Sequence, residues 1–198
     1  MIETHMRHKA QPIFNFLGKF FIKNKVTPNH ITCAAFFFGA LAGICIAYNC
    51  LTAAFLFLML SGLCDIMDGT VARLSNCSAQ FGAYMDLVAD RMVEVFIIVG
   101  FTISYPQHYL AYIIFLGAVM LHFSTFVVAG SLFPNMGKKS MHYDASIVER
   151  AEAFIIFFAM LIFPDYIFYL LMLLNITIIA AGITRFARVR HYALKYIK

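Results

Sequence analysis

The chain has 198 residues, 62% of them hydrophobic and 13% charged, with a formal net charge of +5. Soluble domains average roughly 45–50% apolar and about 25% charged residues, so a water-soluble fold is excluded, and the length fits one domain. The positive charge does not form a nucleic-acid-binding face, because Lys and Arg fall between long apolar blocks, where they report orientation in a membrane.

Residues 6–25 come first. Ile13, Phe14, Leu17, Phe20 and Phe21 recur at helical spacing, with Arg7, Lys9, Lys19, Lys23 and Lys25 around them. This is the pattern of an amphipathic helix lying in the membrane interface. Lys19 interrupts the apolar run and no small-residue cleavage site follows, which argues against a signal peptide. Pro28-Asn29 then opens a span, with Pro tolerated in the first turn and Thr27 placed to cap it.

A helix of about 20 apolar residues crosses a bilayer. Six spans are expected, over residues 30–48, 51–73, 82–104, 109–130, 147–164 and 166–188. The turns near Asn49, at Tyr105-Pro106-Gln107 and at Pro164-Asp165 carry no Lys or Arg. All 15 Lys and Arg residues fall on the other side of the membrane in this arrangement. The positive-inside rule then places both termini, the loop between spans two and three, and the 131–150 segment in the cytoplasm. The expected fold is an all-α integral membrane protein with six transmembrane helices (30–188) after an interfacial helix (6–25). Residues 189–198 make a cytoplasmic tail, and 1–198 form a single domain. There is no low-complexity stretch and no clear internal repeat.

Cys33, Cys45, Cys50, Cys64 and Cys77 lack metal-type spacing, and most read as small buried apolar residues. Asn76-Cys77-Ser78 and Asn175-Ile176-Thr177 match the glycosylation sequon, but the first would face the cytoplasm and the second lies within a span. His122 sits mid-span and is expected to be a buried, hydrogen-bonded histidine.

The chemistry-bearing stretch runs from Asp65 to Asp90. Asp65 and Asp68 are three residues apart and Asp86 and Asp90 four apart, so each pair shares a helix face. A short loop, Leu74 to Phe81, joins the two pairs, so spans two and three are expected to be antiparallel neighbours with four carboxylates converging. Carboxylates within a span are costly by a few kcal/mol, and like charges nearby raise one another's pKa. A divalent cation relieves both costs. Oxygen ligands suit Mg²⁺, Mn²⁺ or Ca²⁺, and Mg²⁺ commonly completes its shell with phosphate oxygens. Gly69, Ala72 and Gly82 leave room for a ligand or a helix beside the aspartates, and Arg73 can pair with a phosphate or a cluster aspartate.

This stretch resembles the signature of the CDP-alcohol phosphatidyltransferases. Every fixed position of that pattern is present: Asp65, Asp68, Gly69, Ala72, Arg73, Gly82, Asp86 and Asp90, with both long gaps intact. Thr27-Pro28-Asn29-His30-Ile31-Thr32 also looks like the family's entry to its first span. The resemblance implies transfer of a phosphatidyl group from a CDP-linked lipid, usually CDP-diacylglycerol, to an alcohol, with release of CMP. It implies that Asp65, Asp68 and Asp86 hold metal near the diphosphate, and that Asp86 is shared with a second ion that Asp90 also contacts. The ions would be two Mg²⁺ or Mn²⁺. Asp90 would be the general base on the acceptor hydroxyl. Gly69, Ala72, Arg73 and Gly82 would line the cytidine diphosphate site, with Asn29 and Thr32 nearby. A homodimer is also implied.

The acceptor is less specified. Lys138-Lys139, Arg150, and Arg185 with Arg188 are the candidate acceptor-binding groups. Glu149-Arg150-Ala151-Glu152 and Thr184-Arg185-Phe186 resemble segments of the family's inositol-phosphate-using branch, which points to a phosphorylated polyol. Glycerol 3-phosphate or serine are the alternatives, and basic residues at cytoplasmic helix ends also have an ordinary topological explanation. Intramembrane prenyltransferases share aspartate-rich magnesium sites, but their two motifs lie far apart. An ion or proton transporter is a different class that also buries carboxylates, yet the outer half of this chain carries no matching acidic path.

Overall fold

The computed structural model of the chain describes residues 2–75, 80–132 and 150–196. Every regular element among the described residues is helical. The helices are α1 (Ile2–Lys23), α2 (Pro28–Ala47), α3 (Leu51–Ser75), α4 (Gln80–Ser104), α5 (Tyr109–Leu132), α6 (Arg150–Ile162) and α7 (Ile167–Tyr196), with 3₁₀ turns at Pro106–His108 and Pro164–Tyr166. The expected spans correspond to α2 through α7, and α7 runs on through Arg185, Arg188 and Arg190 to Tyr196.

Local chemistry explains where the elements start and turn. Thr27 caps α2: its Oγ1 accepts from the His30 backbone N–H at 3.4 Å, and His30 Nδ1 accepts from the Thr27 N–H at 3.5 Å. This is a capping box with histidine in the place usually taken by Glu or Gln, and it gives His30 a structural role. Asn49 turns the chain between α2 and α3 with φ 59°, a left-handed conformation that Asn tolerates. Its Oδ1 accepts from the Tyr105 hydroxyl at 3.2 Å, tying that turn to the end of α4.

Among the described residues, four segments are long and apolar enough to cross a membrane: Pro28–Ala47, Leu51–Ser75, Pro106–Leu132 and Pro164–His191. The six expected spans exceed that number at two helices. The described part of α6 has 13 residues. α4 has 25 residues but carries Asp86, Asp90, Arg91 and Glu94. These charges lower the hydropathy of α4.

The chain divides into two compact units, residues 1–106 and 107–198. In the first, α2 packs against both α3 and α4, and α1 packs on α3. The sequence suggests that α3 and α4 are antiparallel neighbours. Instead their mutual contacts are few, and each is seated on α2. The α2–α4 seam is made of glycines. A Cβ on Gly43 would sit 2.5 Å from the Phe96 carbonyl oxygen, a Cβ on Gly100 would collide with the Gly43 carbonyl oxygen, and one on Gly39 would collide with Val93. Gly39 and Gly43 form a small-xxx-small face of the kind that lets membrane helices approach backbone to backbone. α3 is fixed to α2 by Ser61 Oγ, which donates to the Ala35 carbonyl at 2.8 Å in a buried contact.

On α1, Phe14, Phe21 and Ile22 pack on the buried cluster of Ile31, Met67 and Val71, while Ile13, Phe16 and Phe20 are exposed. In the second unit α7 packs chiefly on α5 and also touches α6. Asn175 Nδ2 donates to the Ala111 carbonyl at 3.0 Å. Asn175 is 1% exposed, so its sequon is no glycan acceptor; the Asn76 sequon lies outside the described residues.

The cysteines depart from the expectation of burial. Cys45 and Cys64 are partly buried, but Cys33 and Cys50 are exposed, and Cys77 lies outside the described residues. The outward face of a span is itself apolar, so hydrophobicity does not separate core from lipid-facing positions.

The glycine seam gives a matched test. Gly43→Ala places a methyl against backbone and is expected to destabilise by about 1–3 kcal/mol. Gly117→Ala meets nothing within 4 Å and should be near neutral. Thermal melts of the detergent-purified variants compare the two.

Candidate active site

Asp65 and Asp68 lie on one face of α3 in its last three turns, and Asp86 lies in the second turn of α4. One carboxylate oxygen from each of the three lies within 4.8 Å of the others. Asp68 is 7% exposed, and Asp65 and Asp86 are half-buried. Its orientation comes from α2: Thr32 Oγ1 donates to Asp68 Oδ2 at 2.7 Å, with the Pro28 carbonyl farther away at 3.2 Å. A hydroxyl has one proton, and the shorter contact takes it. Thr32 is therefore a partner of the cluster, aligning its most buried carboxylate.

Three carboxylates held this close repel one another when ionised. An oxygen-only donor set with one member oriented by a hydroxyl fits a hard divalent cation. Asp90 lies one turn beyond Asp86 on α4 and is not one of the three converging groups. The four-way convergence expected from spacing is thus a group of three with Asp90 beside it on the same helix.

The surrounding small residues have specific neighbours. A Cβ on Gly82 would lie 3.2 Å from Asn29 Oδ1, so the first turns of α2 and α4 meet there. A Cβ on Gly69 would lie 3.3 Å from Arg73 Nη1. The Arg73 side chain therefore folds back along α3 over Gly69, and its Nη2 donates to Thr70 Oγ1 at 3.2 Å. Ala72 is half-buried on the same helix.

Glu94 escaped the sequence reasoning. It is 3% exposed, one turn past Asp90, and Arg91 Nη1 contacts its Oε2 at 2.8 Å. In the sequence Arg91 counts only among the 15 basic residues that report orientation. The three-residue spacing of opposite charges within one helix was the available signal.

Among the acceptor candidates, Arg185 is anchored within the second unit. At Gly182 a Cβ would lie 3.4 Å from Leu121 Cγ. One turn later Arg185 Nη1 donates to the His122 carbonyl at 3.2 Å, and its guanidinium lies 5.2 Å from the centre of the Phe126 ring. Thr125 Oγ1 donates to the same carbonyl at 2.8 Å. The side chain of His122 is half-buried. Arg188 is exposed, with Nε donating to the Thr184 carbonyl at 3.4 Å. Lys138 and Lys139 lie outside the described residues, as does the side chain of Arg150, whose backbone opens α6.

The sequence profile of the CDP-alcohol phosphatidyltransferases matches residues 25–186. The chain belongs to this family. The match runs through both compact units and contains the whole aspartate cluster. Among curated relatives, a protein of Aquifex aeolicus is 30% identical over 107 residues, covering 54% of this chain and 53% of its own length. A phosphatidylinositol phosphate synthase of Corynebacterium glutamicum is 34% identical over 97 residues, 48% of this chain and 43% of the relative. The chain thus aligns with about half the length of these relatives. The crystal structure of the Mycobacterium tuberculosis phosphatidylinositol phosphate synthase with CDP-DAG bound superposes with a TM-score of 0.76 at 18% identity, covering 90% of this chain and 94% of that one. The mycobacterial protein has also been solved with manganese and citrate.

Removing an orienting partner of a metal ligand typically lowers metal affinity or activity about 10–100-fold. Thr32→Val is expected to weaken Mn²⁺ binding within that range, with Thr32→Ser near wild type, as read by titration of the free-Mn²⁺ paramagnetic signal.

Proposed function

We propose that this protein transfers a phosphatidyl group from CDP-diacylglycerol to an alcohol, releasing CMP, in phospholipid synthesis. The observation that carries this reading is the convergence of Asp65, Asp68 and Asp86 within a family-signature stretch. Asp65, Asp68 and Asp86 would hold one divalent ion and Asp86 with Asp90 a second, Mg²⁺ or Mn²⁺. The metal would supply charge neutralisation at the diphosphate and at the departing CMP. Arg73 adds a fixed positive charge for the diphosphate, and Gly69, Ala72 and Gly82 keep side chains out of the nucleotide's way. Asn29 lines the same edge through Gly82. Asp90 accepts the proton of the acceptor hydroxyl as that oxygen attacks the phosphorus bound to the lipid, a general-base role.

We infer that the acceptor is a phosphorylated polyol such as inositol phosphate. The corynebacterial and mycobacterial relatives carry the name of phosphatidylinositol phosphate synthases. Arg185 and Arg188, with Lys138, Lys139 and Arg150, are the candidate ligands for its phosphate. Anchoring of Arg185 by a carbonyl and an aromatic face supports its place in that set, because a pre-oriented guanidinium loses less entropy on binding an anion.

In the membrane, we propose six spans, α2 to α7, with both termini and the cluster on the cytoplasmic side and one domain over the whole chain. The exposed Ile13, Phe16 and Phe20 of α1, beside Lys19 and Lys23, support an interfacial location for that helix. A homodimer is proposed from the family resemblance.

Purified protein given CDP-diacylglycerol, a divalent ion and a panel of alcohols tests the reading. CMP release with inositol phosphate is the expected result, and no release with any acceptor overturns it. Asp90→Asn should lower turnover by about 10²-fold or more while CDP-diacylglycerol binding persists. Arg185→Ala should raise the acceptor KM by about tenfold and leave the donor KM within twofold.

A further inference from the structure

Arg73 belongs to the family signature, but an exposed arginine at a helix end has many rotamers and loses about 2 kcal/mol of side-chain freedom when fixed. One contact that holds it here comes from a residue at an open position of that signature. Thr70 is 2% exposed. Its hydroxyl donates to the Ile66 carbonyl at 2.9 Å, one turn back on α3. With its single proton committed, the oxygen turns its lone pairs outward, and Arg73 Nη2 donates to it at 3.2 Å.

The threonine is itself locked from the other side. Gly18 of α1 is buried, and a Cβ there would stand 3.5 Å from Thr70 Cγ2 and 2.8 Å from Leu74 Cδ1. The γ-methyl therefore points at α1, and a β-branched side chain with its methyl fixed has its oxygen fixed too. Gly69 completes the arrangement by leaving the space over which the guanidinium folds.

We propose that Thr70 is a positioning residue for the donor: its hydroxyl holds Arg73 folded back along α3 in the orientation that receives the diphosphate of the CDP-linked lipid. This rests on the phosphatidyltransferase reading and names a further residue of its donor site. It acts through Arg73 and need not touch the substrate.

The test uses the full chain in nanodiscs, with CDP-diacylglycerol, inositol phosphate and Mg²⁺, measuring both KM values. Thr70→Val keeps the methyl against α1 and deletes the hydroxyl; Thr70→Ser keeps the hydroxyl and deletes the methyl. Thr70→Val should raise the donor KM about five- to tenfold with the acceptor KM within twofold, and Thr70→Ser should stay near wild type. A purely structural role predicts the reverse order, because serine loses the packing, and that order overturns the proposal. Thr70→Ala is a second hydroxyl deletion should the valine variant fold poorly, and it should match Val in donor KM. In an Arg73→Ala background, Thr70→Val should add nothing; additive effects overturn the coupling. If Arg73→Ala raises the donor KM while Thr70→Val is silent, only the positioning proposal falls. If Arg73→Ala itself leaves the donor KM unchanged, the assignment of Arg73 to the donor falls, and the role of Thr70 with it.

Discussion

Like charges on separate helices will not stay together unless something else holds the helices. In this protein that something is α2. It packs on α3 and on α4, which have few contacts with each other, and so it sets the separation between Asp65 and Asp68 on one side and Asp86 on the other. Apolar burial gives little drive between helices in lipid, where the surroundings are equally apolar. The grip comes instead from the close backbone approach at Gly39, Gly43 and Gly100 and from two side-chain bonds between α2 and α3, Ser61 to Ala35 and Thr32 to Asp68. The second of these joins structure to chemistry, since the bond that fastens α3 to α2 also orients the most buried carboxylate.

Much of this was legible in the chain itself. The helices follow from apolar blocks and from turn residues such as Asn49 and Pro164. Thr27 and Pro28 marked the start of α2 correctly, and the aspartate spacing located the cluster. The illegible parts share a cause: they are relations between helices. Spacing puts Asp65 and Asp68 on one face but cannot say that α2, and not α4, lies beside α3. Nor can it tell that Thr32 faces Asp68, that Glu94 is buried and pairs with Arg91, or that Cys33 faces outward. Charge also lowers the hydropathy of a helix, as the carboxylates of α4 do.

The two halves of the proposed reaction differ in how they are built. The proposed donor side draws on α2, α3 and α4 within the first 106 residues, where Thr32 orients Asp68 and Thr70 contacts Arg73. The acceptor candidates belong to the second unit or to residues outside the described structure. Of these, Arg185 is clasped by the His122 carbonyl and the Phe126 ring. A donor shared by a whole family and an acceptor that differs among its members would favour such a split, with the first part constrained and the second free to vary.

The glycine seam also bears on motion. Where backbone meets backbone there are no side chains to change rotamer, so sliding or tilting at that contact has no cheap intermediate. α2 and α4 are in effect a single rigid strut. Any breathing within the first unit then falls to α3 and to the α1 helix resting on it, the elements held by replaceable side-chain contacts.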